Sequence, residues 1–414
     1  MNSMLKRFNF NTTLLLLILV LITGKSEAQV SEFYFNLGLE YLNKEEYDSA
    51  IYKFNETLKL DSNFANAYLN RGLAYYNKGM MNEALKDADK GLQMDSLNPV
   101  AYNNKGWFHY QNKEYQTALI SYNKSIELDT TLEISYTNRG ILNQAMNNHL
   151  AAEIDFISAL KLNPQSAAAH YLLGKTYVLQ QKYQEALGSL NKSLSIHPQY
   201  IDALYTRGEV RGIIDDDFGA ISDYLRIIEI DSNDYAVYYN IANVYARIED
   251  YNKAIKYFDK SIKLNPKHAD SYFNRGYSKY IERRYKDALL DYNSTLKLDS
   301  TNAEAYKDRA KAKLMLKDIT GALKDMDKAL YYNAKNPEYY YTRAVIKTEH
   351  KNYKSAILDL NKAISINPEE GKYYCSRGLL KMQIGELQVG CQDLKQAIKL
   401  GDVPSENYQK QYCK

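Results

Sequence analysis

The stretch "AYLNRGLAYYNKG", residues 67–79, decides the fold. Tyr68, Leu69, Leu73, Tyr75 and Tyr76 recur at three- and four-residue spacing, as in a helix that buries one face. Arg71 stands inside that apolar stripe, directly before Gly72. A long cation in an apolar seam is costly unless it meets a partner. Finding the partner requires the rest of the chain.

From Phe33 to Glu406 the sequence divides into eleven blocks of 34 residues without insertion or deletion. The blocks begin at Phe33, Ala67, Ala101, Ser135, Ala169, Ala203, Val237, Ser271, Ala305, Tyr339 and Tyr373. Column six is glycine or alanine throughout, from Gly38 to Gly378, and column eighteen is alanine from Ala50 to Ala356, then Gly390. Small residues at two fixed points allow two helices to approach closely. Column twenty-six is always Leu or Ile, from Leu58 to Ile398. All seven prolines fall near block ends, where they interrupt helices. Each block therefore reads as helix, turn, helix, turn, and such a pair buries its apolar face only by stacking on its neighbours.

Arg71 lies in column five. Arg139, Arg207, Arg275, Arg309, Arg343 and Arg377 share that column, and their blocks carry Asp155, Asp223, Asp291, Asp325, Asp359 and Asp393 in column twenty-one, as Arg71 is matched by Asp87. The other four blocks have neither residue at these places. The coupling predicts a salt bridge inside each hairpin, a guanidinium meeting a carboxylate through two parallel hydrogen bonds. The alternative, that the arginines bind an acidic ligand, sits poorly with their dependence on an aspartate in the same block.

The 34-residue period, the paired small residues, the aromatics near each block start and the prolines at block ends resemble tetratricopeptide repeats, over nearly the whole chain. The resemblance implies an all-α fold: a right-handed α-α superhelix, or solenoid, of eleven helical hairpins, whose first helices line a concave groove. Block six, with "GIIDDDFGA" at 212–220, departs most from the pattern, and a loosened turn is expected there.

In that groove, column four holds Asn36, Asn70, Asn104 and Asn138 in succession, then Asn240 and Asn274. The series resembles the asparagine ladder of some tetratricopeptide superhelices, in which side-chain amides hold the backbone of an extended peptide. An amide offers donors and an acceptor that match a peptide unit. The competing reading is that asparagine at this position satisfies local polar groups. Phe35, Tyr171, Tyr205, Tyr239, Phe273 and Tyr341 in column three, and Trp107 in column seven, supply aromatic contact area. Some of these rings are equally suited to packing between helices. A two-carboxylate clamp of the family type is not expected. Lys307 and Lys311 come nearest to it, but Thr342 stands where asparagine is needed.

The blocks leave no room for a catalytic domain. Six histidines and three cysteines are scattered, with no metal-ligand spacing, no phosphate loop and no nucleophile elbow, so neither an enzyme nor a cofactor is expected. A net charge of +3 gives no reason to expect nucleic acid. At the N-terminus, Lys6 and Arg7, the apolar run Leu14–Ile22, and Ser26 and Ala28 read as a secretory signal peptide, residues 1–28, cut after Ala28. An uncleaved anchor is the alternative. After cleavage no integral membrane span is expected, and the protein would be periplasmic or secreted.

After Pro404, residues Ser405 to Tyr412 can form a polar capping helix that runs past the last block into 407–414. In an oxidising compartment Cys391 and Cys413 are placed to bridge the last block to this cap, with Cys375 left over; three free thiols are the alternative. The sequence points to a non-catalytic scaffold of the cell envelope that binds protein or extended peptide. The second reading is a regulatory or substrate-presenting subunit of an envelope enzyme.

Overall fold

The computed structural model describes residues 26–413. The apolar core of the expected signal peptide, and Lys6 and Arg7 before it, lie outside the described residues. Within them there are twenty-three helices and no strand. Hairpins one to five pair Glu27–Asn43 with Tyr47–Leu60, Ala65–Asn77 with Met81–Met94, Pro99–Gln111 with Tyr115–Leu128, Glu133–Ala145 with His149–Leu162, and Ala167–Leu179 with Tyr183–Ile196. The sixth block supplies Ile201–Ile213 and Asp217–Ile230. Hairpins seven to eleven pair Tyr235–Arg247 with Tyr251–Leu264, Ala269–Ile281 with Tyr285–Leu298, Ala303–Met315 with Ile319–Tyr332, Pro337–Glu349 with Tyr353–Ile366, and Gly371–Gln383 with Leu387–Lys399. A last helix, Val403–Tyr412, follows. It starts two residues before the expected Ser405, because Asp402 caps it and Pro404 fits its first turn, where no amide hydrogen is needed.

The chain divides into two compact units, one ending at Val210 and one beginning at Arg211. In each unit the second helix of a hairpin packs on its own first helix and on the first helix of the next hairpin. Contact between the helices of a hairpin is close. A Cβ on Gly106 would come within 2.7 Å of the Tyr122 ring, and one on Gly38 within 2.5 Å of Phe54. The small residue in column six is thus the seat for the large side chain in column twenty-two, where Tyr122, Phe54, Phe156 and Phe258 are fully buried.

Six arginines form the couples that the sequence predicts. They are Arg71–Asp87, Arg139–Asp155, Arg275–Asp291, Arg309–Asp325, Arg343–Asp359 and Arg377–Asp393. In each, Nη2 donates to one carboxylate oxygen at 2.5–2.7 Å and Nε to the other at 2.7–3.1 Å. All six aspartates are buried. Burial pulls the Arg71 guanidinium pKa down, but the hydrogen bonds and charge of Asp87 outweigh it and the net shift is upward. In block six, Arg207 donates to Asn191 and Asp223 accepts from Arg211.

Each arginine also reaches backward. Its Nη1 donates to column twenty-three of the preceding block: Arg71 to Asn55, Arg139 to Asn123, Arg207 to Asn191, Arg275 to Asp259, Arg309 to Asn293, Arg343 to Asp327 and Arg377 to Asn361, at 2.5–2.8 Å. Lys105 makes the equivalent contact with Asp89. A tyrosine one turn earlier on the same helix flanks the guanidinium at 5.3–5.8 Å in six blocks, Tyr68 beneath Arg71 among them. Where column five is apolar, the backward partner is apolar too: Leu173 follows Ile157, and Ile241 follows Leu225. Leu173 and Ile157 share one apolar cluster with Phe156.

The turn inside each hairpin places column thirteen in the left-handed region. Glu45, Lys113, Asn147, Gln181, Asp215, Glu249, Arg283, Lys317 and Lys351 have φ between 57° and 64°, and Gly79 and Gly385 fill the same place. The expectation of a loosened turn in block six does not hold. Asp215 at φ 62° matches its counterparts, and Asp216 caps the helix that follows through the amide of Gly219. Near the C-terminus Cys391 and Cys413 form a disulfide, with Cα atoms 5.7 Å apart, and Cys375 is a buried free thiol. Closing a loop of this size contributes roughly 3 kcal/mol.

Two expectations follow. Arg71→Leu alone strands Asp87 and should destabilise hairpin two by about 3 kcal/mol. The triple change Arg71→Leu, Asp87→Ser, Asn55→Ile, which copies Leu173, Ser189 and Ile157, should recover most of that. Amide hydrogen exchange across residues 65–94 reads both, and a triple variant no better protected than the single one refutes the account. Lys113→Gly removes a left-handed strain of about 1–2 kcal/mol at the cost of backbone entropy, so a net gain of about 0.5–1 kcal/mol is expected in thermal unfolding. A lowered transition would show that the turn is not strained.

Candidate functional site

The candidate site is the face built by the first helices, which touch one another in succession within each unit. Column four projects from this face, but its asparagines are not equivalent. In the first unit Asn36 is exposed and Asn70 and Asn104 are half-buried. The Asn70 amide donates to the Asn66 carbonyl of its own helix at 2.8 Å. Asn138 is buried, and its amide donates to Asn103 Oδ1 at 3.0 Å, so it is spent on a neighbouring hairpin. Its expected role as a peptide contact is therefore corrected to an internal one. The sequence hid this, because the partner in column three, Asn103, replaces the ring found there in other blocks.

In the second unit Asn240 and Asn274 are half-buried. Asn274 donates to Asn243 Oδ1 at 2.9 Å and to the Tyr239 hydroxyl at 3.2 Å. A polar chain thus runs across hairpins seven and eight. Hairpin nine breaks it: Asp308 occupies column four, buried, with Lys307 at 3.4 Å and Lys311 at 3.8 Å. Lys307 also pairs with Glu304, which accepts from the Tyr339 hydroxyl at 2.7 Å. Burial raises the Asp308 carboxyl pKa; Lys307 and Lys311 pull it back without cancelling the shift. Lys307, one of the two lysines nearest to a carboxylate clamp, is thus engaged inside the fold.

The aromatic residues of column three mostly serve the hairpins. Phe35 packs on Phe54 at 5.8 Å, Tyr239 on Phe258 at 5.9 Å and Phe273 on Tyr292 at 6.0 Å, each against column twenty-two of its own hairpin. Tyr171 lies 5.1 Å from Tyr200, and burial raises its hydroxyl pKa. Tyr205 is half-buried in the same region. Trp107 is half-buried, 5.4 Å from Tyr110, and rests on the cluster of Ala84, Ala88 and Phe108. Its ring is anchored on one side and accessible on the other.

Sequence reasoning missed three contributors to the lattice beneath this face. These are the column-twenty-three acceptors, the tyrosines beneath the arginines, and a column-nine cation. Lys279, Lys313, Lys347 and Lys381 add a second cation to Asp291, Asp325, Asp359 and Asp393 at 2.7–2.9 Å. The first was legible, since columns five and twenty-three of successive blocks change together. Among the described residues no group of three or more His, Cys, Asp or Glu is arranged to hold a metal, and no helix is long and apolar enough to cross a membrane.

Comparison with known proteins agrees with this architecture. Models described as tetratricopeptide repeat match residues 65–96, 99–131, 137–201, 235–268 and 337–370, and one described as TPR repeat matches 38–79. Together they span more than half of the chain. No curated protein sequence matches. Among solved structures the chain is similar to yeast Tom70, at 14% identity over 93% of this chain and 94% of that one, with a TM-score of 0.41. It is also similar to Pseudomonas aeruginosa PilF, at 20% identity over 54% and 100%, with a TM-score of 0.48. A tetratricopeptide repeat protein from Parabacteroides merdae is 21% identical over 60% and 98%, with a TM-score of 0.46. Proteins of this repeat serve as protein-interaction scaffolds. By its eleven repeats and these matches, the chain belongs to the tetratricopeptide repeat family.

Proposed function

We propose that the protein is a non-catalytic scaffold of the cell envelope that holds extended peptide or protein segments along the groove formed by its first helices. The observation that carries this reading is the polar and aromatic character of that face in the first unit. Asn36, Asn70 and Asn104 line it with Trp107, while the buried lattice of arginines and aspartates below holds the helices in register. Each amide offers both a donor and an acceptor to a passing backbone, and the half-buried indole offers a rigid apolar anchor. In the second unit Asn240 stands in the same column, beside the Asn274–Asn243–Tyr239 chain. Export is supported by the basic and apolar segments before Ala28 and by the disulfide, a bond that persists in oxidising compartments.

Capture from an envelope extract, followed by binding of peptides tiled across the captured protein, tests the proposal. Asn70→Ala together with Asn104→Ala should weaken the best peptide by about tenfold or more, at the usual worth of one to two hydrogen bonds, and leave helicity unchanged. Trp107→Ala should do the same. Unchanged affinity in both variants removes the groove from the account. Turnover of a substrate by an enzyme captured with the chain, dependent on its presence, would favour the regulatory-subunit reading instead.

A further inference from the structure

The last helix, Val403–Tyr412, is held on hairpin eleven with little of its own surface buried. It has ten residues, fewer than an isolated helix needs to persist in water. Ser405 is its only buried residue. Val403 and Tyr412 are largely exposed. The hydrogen bonds of Ser405 to Asp402 are local to the helix start. What the helix offers hairpin eleven is the Ser405 hydroxyl at the Cys375 thiol and the Tyr408 ring, followed at its end by Cys413, against a small cluster of Cys375, Leu394 and Ala397. The covalent bond from Cys413 to Cys391 is therefore the main tether.

Beneath this helix lies something that the tether seals. Cys375 is buried, on the first helix of hairpin eleven, next to the start of the cap. Burial raises its thiol pKa, the Ser405 hydroxyl pulls it down and Asp402 raises it again, for a net upward shift. A cleft of mixed character adjoins the same cluster, walled by Thr348 and Tyr353 of hairpin ten, by Met382, Gln383 and Leu387 of hairpin eleven, and by Tyr408 and Tyr412 of the cap. The cap thus forms one wall of the cleft.

We propose that the Cys391–Cys413 disulfide is a redox latch that decides whether the last helix stays docked, keeping Cys375 and the apolar floor around it covered while closed and uncovering both when opened. Opening takes two electrons and two protons from a dithiol. One of its thiolates attacks a sulfur of the pair and forms a mixed disulfide, and its second thiol resolves this into the oxidised dithiol and two cysteine thiols. Closing is the reverse reaction with a disulfide oxidant. The latch acts on the last helix and the surface beneath it, because hairpins ten and eleven keep their own arginine clamps.

The experiment uses the full chain, oxidised and after treatment with dithiothreitol, beside the Cys391→Ser/Cys413→Ser variant without reductant. Alkylation of Cys375 by N-ethylmaleimide is followed by mass spectrometry, together with amide hydrogen exchange of residues 403–413 and of hairpins seven to ten. In the reduced chain and the variant, Cys375 should be alkylated about tenfold faster or more, and the cap amides should lose protection while hairpins seven to ten keep theirs. Cys375 as protected as in the oxidised protein overturns the proposal. So does loss of protection throughout the second unit, which would make the bond a general staple. Absence of the Cys391–Cys413 peptide pair from a non-reducing digest of oxidised protein also overturns it.

Discussion

The structure depends on where a single guanidinium can sit. In column five it faces three ways at once: to an aspartate on the second helix of its hairpin, to an amide or carboxylate of the hairpin before, and to the face of a tyrosine one turn earlier. The first contact fixes the angle within a hairpin and the second fixes the spacing between hairpins. A lysine would supply charge but not the planar fork that joins both partners. Lys105 illustrates this: it reaches back to Asp89, while the carboxylate position in its own hairpin is Ser121.

The arrangement explains how so many charged groups come to be buried in a helical array with their hydrogen-bonding atoms paired. The aspartates of column twenty-one are covered, yet each accepts from arginine, and in four hairpins also from lysine. A buried charge of this kind specifies geometry more than it adds stability. It penalises any slip of one hairpin against the next, since a slip separates the fork from its acceptors. The asparagine face on the groove side can be presented in order because the layer below it does not shift.

Much of this was legible in the sequence. A strict period without gaps shows the number of hairpins, and matched absence in four blocks shows which charges meet. The backward contact was equally visible in Ile157 and Leu173, had columns of neighbouring blocks been compared. Other features were not legible. Nine turns place a residue other than glycine in the left-handed region, a conformation that the polar residues at this column do not announce. Asn138 shares its column with Asn70 and Asn104 but differs in burial, because a side chain from another column, Asn103, reaches it. Column identity fixes the direction of a side chain along the helix; its neighbours decide what it can still bind.

At one place in the seam between hairpins four and five, Leu173 meets the cluster of Phe156 and Ile157, where the seams on either side have an arginine donating to an asparagine. Apolar contact weakens on cooling and is strengthened by salting-out ions, whereas exposed parts of an ion-pair network are screened by the same salt. Temperature and ionic strength therefore act on the Leu173 contact differently from the Lys182–Glu153 pair of the same seam. The place where the first unit yields first should change with the solvent, although its sequence does not.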